Sequence, residues 1–165
     1  MVYVTICYDF RNQEINLKTL IIYESIHHGN TEKIGKIMAN SLKADIVKTN
    51  DVNINTLSKY DLIGFGSGIY YGKLHKNILD LINNLQTLSN KKAFVFSTSG
   101  QGKTKYNKLA EEKLKEKNFD VIGSFACKGY DTFGPFKLFG GIAKGRPDDN
   151  DFKNAKDFAE HLIIS

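Results

Sequence analysis

The chain is predicted to fold as an α/β three-layer sandwich, in which helices cover both faces of a parallel sheet. Two observations predict it. Five short β-branched or aromatic runs alternate with amphipathic runs of helical spacing, and that alternation builds strand-crossover-strand units whose connections are right-handed. The runs themselves are largely apolar, as strands buried on both faces are.

In chain order, the first strand is Thr19 to Glu24. A small polar turn follows it, and then a helix whose apolar positions Ile34, Ile37, Met38 and Leu42 recur at helical spacing. Asp45 to Thr49 and Asp61 to Gly66 form the second and third strands. The next helical face carries Leu74, Ile78, Leu81, Ile82 and Leu85, and Lys92 to Ser97 is the fourth strand. Tyr106, Leu109, Ala110 and Leu114 mark a further helix, Val121 to Cys127 the fifth strand, and Phe152, Ala155, Ala159, Leu162 and Ile163 the last helix. Met1 to Lys18 precede this pattern and read as an extension, with Val2 to Cys7 either an added edge strand or part of a poorly ordered segment. The domain proper is therefore placed at 19–165.

A chain of 165 residues, about two fifths of them hydrophobic, supports one domain with a single substantial core. It has no run of roughly 18 apolar residues and no basic-flanked apolar leader, so a cytoplasmic protein without an integral membrane segment is expected. Cys7 and Cys127 lie far apart with no Cys-x-x-Cys spacing, which argues against a metal site or a disulfide framework and leaves Cys127 as a buried, inert thiol. The formal charge is +5, but lysines are interspersed with acids, as in Lys103 to Lys117, and no basic and aromatic stripe appears. Nucleic acid is therefore not an expected partner.

Three turns after strands carry the chemistry. In Ile22-Tyr-Glu-Ser-Ile-His-His-Gly-Asn-Thr-Glu32, a strand stops at a polar turn that opens into a helix. Ser25 and Thr31 offer hydroxyls, Gly29 lets the backbone come close, and the first free helix amides beyond Asn30 point at an anion, which is the make-up of a phosphate site. His27 and His28 stand inside that turn, where protonated imidazoles would favour a dianion and where no third ligand makes a metal site. The second turn, Gly66-Ser67-Gly68-Ile69-Tyr70-Tyr71-Gly72, combines glycines with an aromatic wall suited to a flat ring. The third, Ser97-Thr98-Ser99-Gly100-Gln101-Gly102-Lys103-Thr104, ends like a nucleotide-binding P-loop, but Ser97 stands where the first glycine of that motif is required. No catalytic side chain and no metal ligand is assigned.

On these residues the chain resembles the flavodoxin family, whose Tyr-x-Ser-x-x-Gly-Asn-Thr turn is matched by Tyr23, Ser25, Gly29, Asn30 and Thr31. The Ile26-His27-His28 stretch makes the turn here one residue longer than its commonest form. The resemblance implies strand order 2-1-3-4-5 and FMN as cofactor. It places the FMN phosphate on Ser25, Gly29, Asn30 and Thr31, where His27 and His28 are expected from their own chemistry to add contacts, and the flavin ring against Ser67, Gly68, Ile69, Tyr70, Tyr71 and Gly72. The pyrimidine edge of the ring then falls on Ser97, Thr98, Ser99, Gly100 and Gly102. The function implied is electron transfer with redox protein partners or a small acceptor, as monomer or homodimer. The basic charge departs from the usual acidity of such carriers. The run Ser67-Gly-Ile-Tyr-Tyr-Gly-x-x-His75 also resembles quinone-linked protoporphyrinogen oxidases of the same fold, which implies the alternative of an FMN oxidoreductase acting on a quinone or porphyrinogen. The long segment Lys128 to Pro147, with Tyr130, Phe133, Phe136 and Phe139 beside Lys137, Lys144 and Arg146, reads as a lid, a dimer contact or a docking surface, or as a simple cover for the end of the sheet. Peripheral membrane contact through 130–146 is kept open on the same residues.

Overall fold

A computed structural model describes residues 17–164, so the expectations for residues 1–16, Cys7 included, lie outside the described residues. The strands are β1 (Thr19–Glu24), β2 (Asp45–Lys48), β3 (Leu62–Tyr70), β4 (Lys73–Leu74), β5 (Lys91–Ser99) and β6 (Phe119–Lys128), and the helices α1 (Asn30–Leu42), α2 (Lys76–Asn84), α3 (Lys108–Glu116) and α4 (Asp149–Leu162). The parallel sheet runs β2-β1-β3-β5-β6, and the short β4 pairs antiparallel with β3. The five parallel strands thus stand in the expected order 2-1-3-4-5, and β4 is a sixth strand that the sequence reading did not contain.

Each strand sends alternate residues to opposite faces, and two cores result. Leu20, Ile22, Ile63, Phe65 and Val95 pack with Ile78, Ile82, Ala110 and Leu114 of α2 and α3. Ile21, Tyr23, Phe94, Phe96 and Phe125 pack with Ile34, Met38, Ala155 and Ala159 of α1 and α4. On this second face β3 contributes glycines. Gly64 lies opposite Phe94, and Gly66 opposite Phe96, in the β3 to β5 register. A Cβ on Gly66 would stand 2.1 Å from Cζ of Phe96, so the phenyl ring fills the space where a side chain would be. Between Ala93 and Phe94 the β5 to β6 register shifts: Val121 pairs Ala93 and Gly123 pairs Phe94, so Ile122 is the extra residue of a β-bulge.

Helix ends show why the elements stop where they do. α1 begins at Gly29 and ends at Lys43, both in the left-handed conformation, and no side chain caps its N-terminus. α2 starts at Lys76, two residues beyond Leu74, because Leu74 belongs to β4 and the imidazole of His75 accepts a hydrogen bond from the Asn77 amide (3.1 Å). Tyr106 lies in a short 3-10 turn ahead of α3.

α4 begins with a capping box between Asp148 and Asp151, and the Arg146 guanidinium grips the Asp151 carboxylate through Nε and Nη2. Burial pushes the Asp151 carboxyl up, but the bonds from Arg146 and Asp148 outweigh it and hold the carboxyl below its ordinary value. A depressed folded-state pKa contributes stability above the unfolded value of 3.8 that is lost as pH falls through the folded value. Asp151→Asn is therefore expected to cost about 1–3 kcal/mol in urea unfolding at pH 7. The difference from wild type should shrink below pH 4. A pH-independent difference would show that the charge is not what matters.

Candidate functional site

The turns after β1, β3 and β5 meet at the carboxyl ends of the strands, where the sheet order reverses between β1 and β3. Open α/β sheets bind ligands at such a point. Two cavities lie there. A narrow one of about 30 Å³ is lined by Ser25, His27, Asn30 and Thr31 from the first turn, Gly68 to Tyr70 from the second, and Thr98 and Ser99 from the third. A second of about 150 Å³ continues along Ile69, Tyr71, Gly72, Ser99, Gly100 and Gln101. Ile69 and Ser99, with Asp131 and Phe133 of the long segment after β6, line both.

At the first turn the Ser25 hydroxyl and the first amides of α1 are unused. Ser25 Oγ is buried with no hydrogen-bond partner. The first amides of α1 lack intrahelical acceptors by geometry, and no side chain caps them. Gly29 sits at φ 65°, and a Cβ there would meet nothing within 4 Å. Thr31 Oγ1 lies 2.8 Å from Thr98 Oγ1, a buried hydroxyl pair that ties the first turn to the third. Asn30 Nδ2 donates to the Tyr130 carbonyl at 2.8 Å, which fastens α1 to the long segment.

The second turn differs from its sequence reading. It is a two-residue hairpin joining β3 to β4, with Tyr71 and Gly72 both at positive φ (52° and 77°) and Tyr70 paired with Lys73. That is the backbone a tight hairpin requires to match strand twist. Ser67 lies inside β3 at 0% exposure, where its hydroxyl donates to the Gly68 carbonyl and accepts from the His75 amide at 2.8 Å. It holds the hairpin and lines neither cavity. Ser97, its neighbour on β5, is also buried, lines neither cavity, and has an unpartnered hydroxyl. Gly102 lines neither: its amide donates to Ser99 Oγ (2.9 Å), and a Cβ there would lie 2.8 Å from the Cys127 carbonyl carbon.

The two histidines part company. His27 lines the narrow cavity, its ring 6.1 Å from Tyr70 and 6.4 Å from Phe133. His28 turns to the long segment, with Nε2 3.0 Å from Thr132 Oγ1 and its ring 4.5 Å from that of Tyr130. Among the aromatics of the long segment, Phe133 enters the wall, edge-on to Tyr70 (5.4 Å) and Tyr71 (5.5 Å), while Phe139 is 83% exposed. The lining residues missed from sequence include Ile26, Tyr106, Gly129, Asp131 and Ile142. Asp131 accepts from the Phe133 amide (2.8 Å), and its backbone pairs with Ile142 in an isolated bridge. Burial first, then the charges of Asp131 and Glu24, push the Tyr70 phenol above its ordinary value.

Cys127 is buried, and burial with the nearby Asp151 carboxylate pushes its thiol up to about 12, as an inert cysteine requires. Among the described residues no group of acidic, histidine and cysteine side chains is arranged to hold a metal, and no helix is long and apolar enough to cross a membrane.

A family model described as a flavodoxin domain matches residues 20–133. An uncharacterized protein of Methanocaldococcus jannaschii is 50% identical over 149 residues, covering 89% of this chain and 99% of its own. The flavodoxin-like domain-containing protein BilS of Clostridioides difficile is 29% identical over 122 residues, covering 68% of this chain and 66% of its own. Among solved structures, a flavodoxin from the domain Archaea superposes with a TM-score of 0.70 at 17% identity, covering 90% of this chain and 97% of that one. Flavodoxin 1 of Bacillus cereus gives 0.67 at 20% identity, covering 89% and 97%.

Proposed function

Because the chain belongs to the flavodoxin family, we propose that the cleft holds FMN and that the protein is an electron carrier. One observation carries the reading: the buried, unpartnered Ser25 hydroxyl stands in a cavity at the uncapped N-terminus of α1. A phosphate supplies the acceptor oxygens and the negative charge that such a site lacks. Ser25 and the first-turn amides would hold it, with His27 alongside. Tyr70 and Tyr71 would wall the ring, and the backbone of Ser99 and Gly100 would meet its polar edge. Bound FMN supplies one- and two-electron chemistry. Ile69, Ser99, Asp131 and Phe133 line both cavities, so a ligand spanning the two would touch all four.

The direct test is the visible spectrum of the purified protein with identification of what heat releases. Oxidised-flavin bands and released FMN are expected; a colourless protein that FMN cannot reconstitute would overturn the reading. Asp131 gives a second handle. A carboxylate beside the ring opposes the arrival of negative charge, so Asp131→Asn, which keeps the acceptor oxygen for the Phe133 amide, should make the bound-FMN potential less negative by tens of millivolts. An unchanged potential would place Asp131 out of reach of the ring.

The alternative reading is an FMN oxidoreductase of this fold acting on a quinone or porphyrinogen, favoured by the aromatic side chain that the long segment sets into the wall. Reversible reduction by a protein reductase without turnover of either compound supports the carrier; turnover supports the enzyme.

A further inference from the structure

A cavity of about 710 Å³, larger than either part of the flavin cleft, lies outside it, between α2 and α3 and against β4. Its size is that of small-molecule sites, which usually combine an apolar lining with a few placed polar groups. The apolar part is Leu74, Leu79 and Leu109 with Tyr70, Tyr71 and Phe133. These three aromatics also line the cleft, Tyr70 the narrow part, Tyr71 the wider part and Phe133 both. One aromatic layer therefore serves two cavities.

The polar part is cationic. Lys76 is neutralised by its ion pair with Asp80. Lys113 Nζ donates to Asn83 Oδ1 at 2.7 Å, a neutral acceptor that fixes the ammonium without cancelling its charge. The ammonium of Lys73, at the start of β4, has no ion-pair partner among the described residues. His75 Nδ1 is committed as acceptor to the Asn77 amide, which leaves Nε2 to carry the ring proton as a further donor. Two uncompensated cations beside an apolar, partly aromatic wall fit a ligand with a flat apolar body and a carboxylate.

We propose that this cavity is a second ligand site, for an aromatic carboxylate that binds across the Tyr70, Tyr71 and Phe133 layer from the flavin cleft. The proposal goes beyond FMN binding and does not depend on it. The hairpin makes the site: β4 carries Lys73 and Leu74 into the cavity, and the turn before it presents Tyr71.

The test titrates naphthalene-2-carboxylate and its neutral analogue 2-naphthalenemethanol into the protein as purified and into FMN-saturated protein, by NMR with methyl assignments. The carboxylate is expected to bind about five- to tenfold more tightly than the alcohol, the range that two partly sheltered charges provide. Intermolecular NOEs should reach the methyls of Leu79 and Leu109, which line this cavity and neither part of the cleft. The double variant Lys73→Gln, Lys113→Gln should erase the preference while leaving alcohol binding unchanged. The proposal is overturned by equal affinities in wild type, by a preference that survives the double variant, by no binding of either probe, or by displacement of FMN one for one. A protein that never takes up FMN removes the FMN reading alone, since the titration without FMN still decides this one.

Discussion

Gly29→Asp is expected to lower FMN affinity at least about a hundredfold, roughly 2.8 kcal/mol, while the protein stays folded. The two effects separate because the position faces opposite demands. A carboxylate at the start of α1 occupies the place proposed for the phosphate. Like unit charges near 4 Å repel by about 4 kcal/mol at the effective dielectric of a protein surface. For the fold the same carboxylate is favourable. A negative group at a helix N-terminus contributes about 0.3–1 kcal/mol, and no side chain now caps this end of α1. The opposing cost is the left-handed backbone at φ 65°, about 1–2 kcal/mol for a residue with a Cβ, and no steric clash adds to it. Riboflavin provides the control, since it keeps the ring and lacks the phosphate. Its affinity should hold within about threefold, as no charge is being opposed. Equal losses for both ligands would mean that the substitution had deformed the cleft and that the turn is not where the phosphate lies.

The second large effect lies in the sheet. Gly66→Ala places a Cβ 2.1 Å from Cζ and 2.3 Å from Cε1 of Phe96, a ring that is itself fully buried. Either the ring leaves its place or β3 and β5 separate locally, and overpacking of a tight core costs typically 1–3 kcal/mol, with about 3 kcal/mol or more expected for so short an approach. That is a large share of the roughly 5–15 kcal/mol that holds a domain folded. Phe96→Leu alone should also destabilise, because it opens space over Gly66. The double variant should lose less than the sum, the signature of two residues sharing one volume. Urea unfolding of the four proteins closes the cycle, and strict additivity would show that the ring does not fill the glycine's space.

The large features of the fold were legible because they rest on apolar periodicity. The apolar run Thr19 to Glu24 has the boundaries of β1, and the face of Ile34, Met38 and Leu42 is the buried face of α1. The errors gather at the second turn. Tyr70-Tyr71-Gly72 carries the residue types of a loop, so the pattern ends the third strand at Gly66 although β3 runs to Tyr70, and a two-residue β4 has no periodicity to detect. Leu74 misled for a definite reason: it stands four residues before Ile78 and so fits a helical face, although its backbone is extended. Asp131 and Ile142 gave no signal at all. They reach the cleft through an isolated backbone bridge between residues eleven apart in a glycine-rich segment, and no local pattern reports such a pairing. Ser67 and Ser97 show the opposite limit. Their spacing from the glycines marks the turns correctly, but Ser67 lies three residues and Ser97 two residues before the end of its strand, and a hydroxyl there is buried in the sheet.

The extra residue at Ile122 matters for how copies of the molecule treat one another. Among the described residues β6 is ten residues long, and one of its sides carries no neighbouring strand. A straight border of that length offers its free amides and carbonyls to any extended chain, and self-assembly into a continuous sheet between molecules starts from such borders. The bulge opposite Ala93 and Phe94 breaks the repeat at the fourth residue of the strand and adds local twist. A second molecule laid alongside can then match only the shorter stretch beyond it. The same irregularity that costs one regular pairing inside the sheet thus shortens the border along which copies of the molecule could pair.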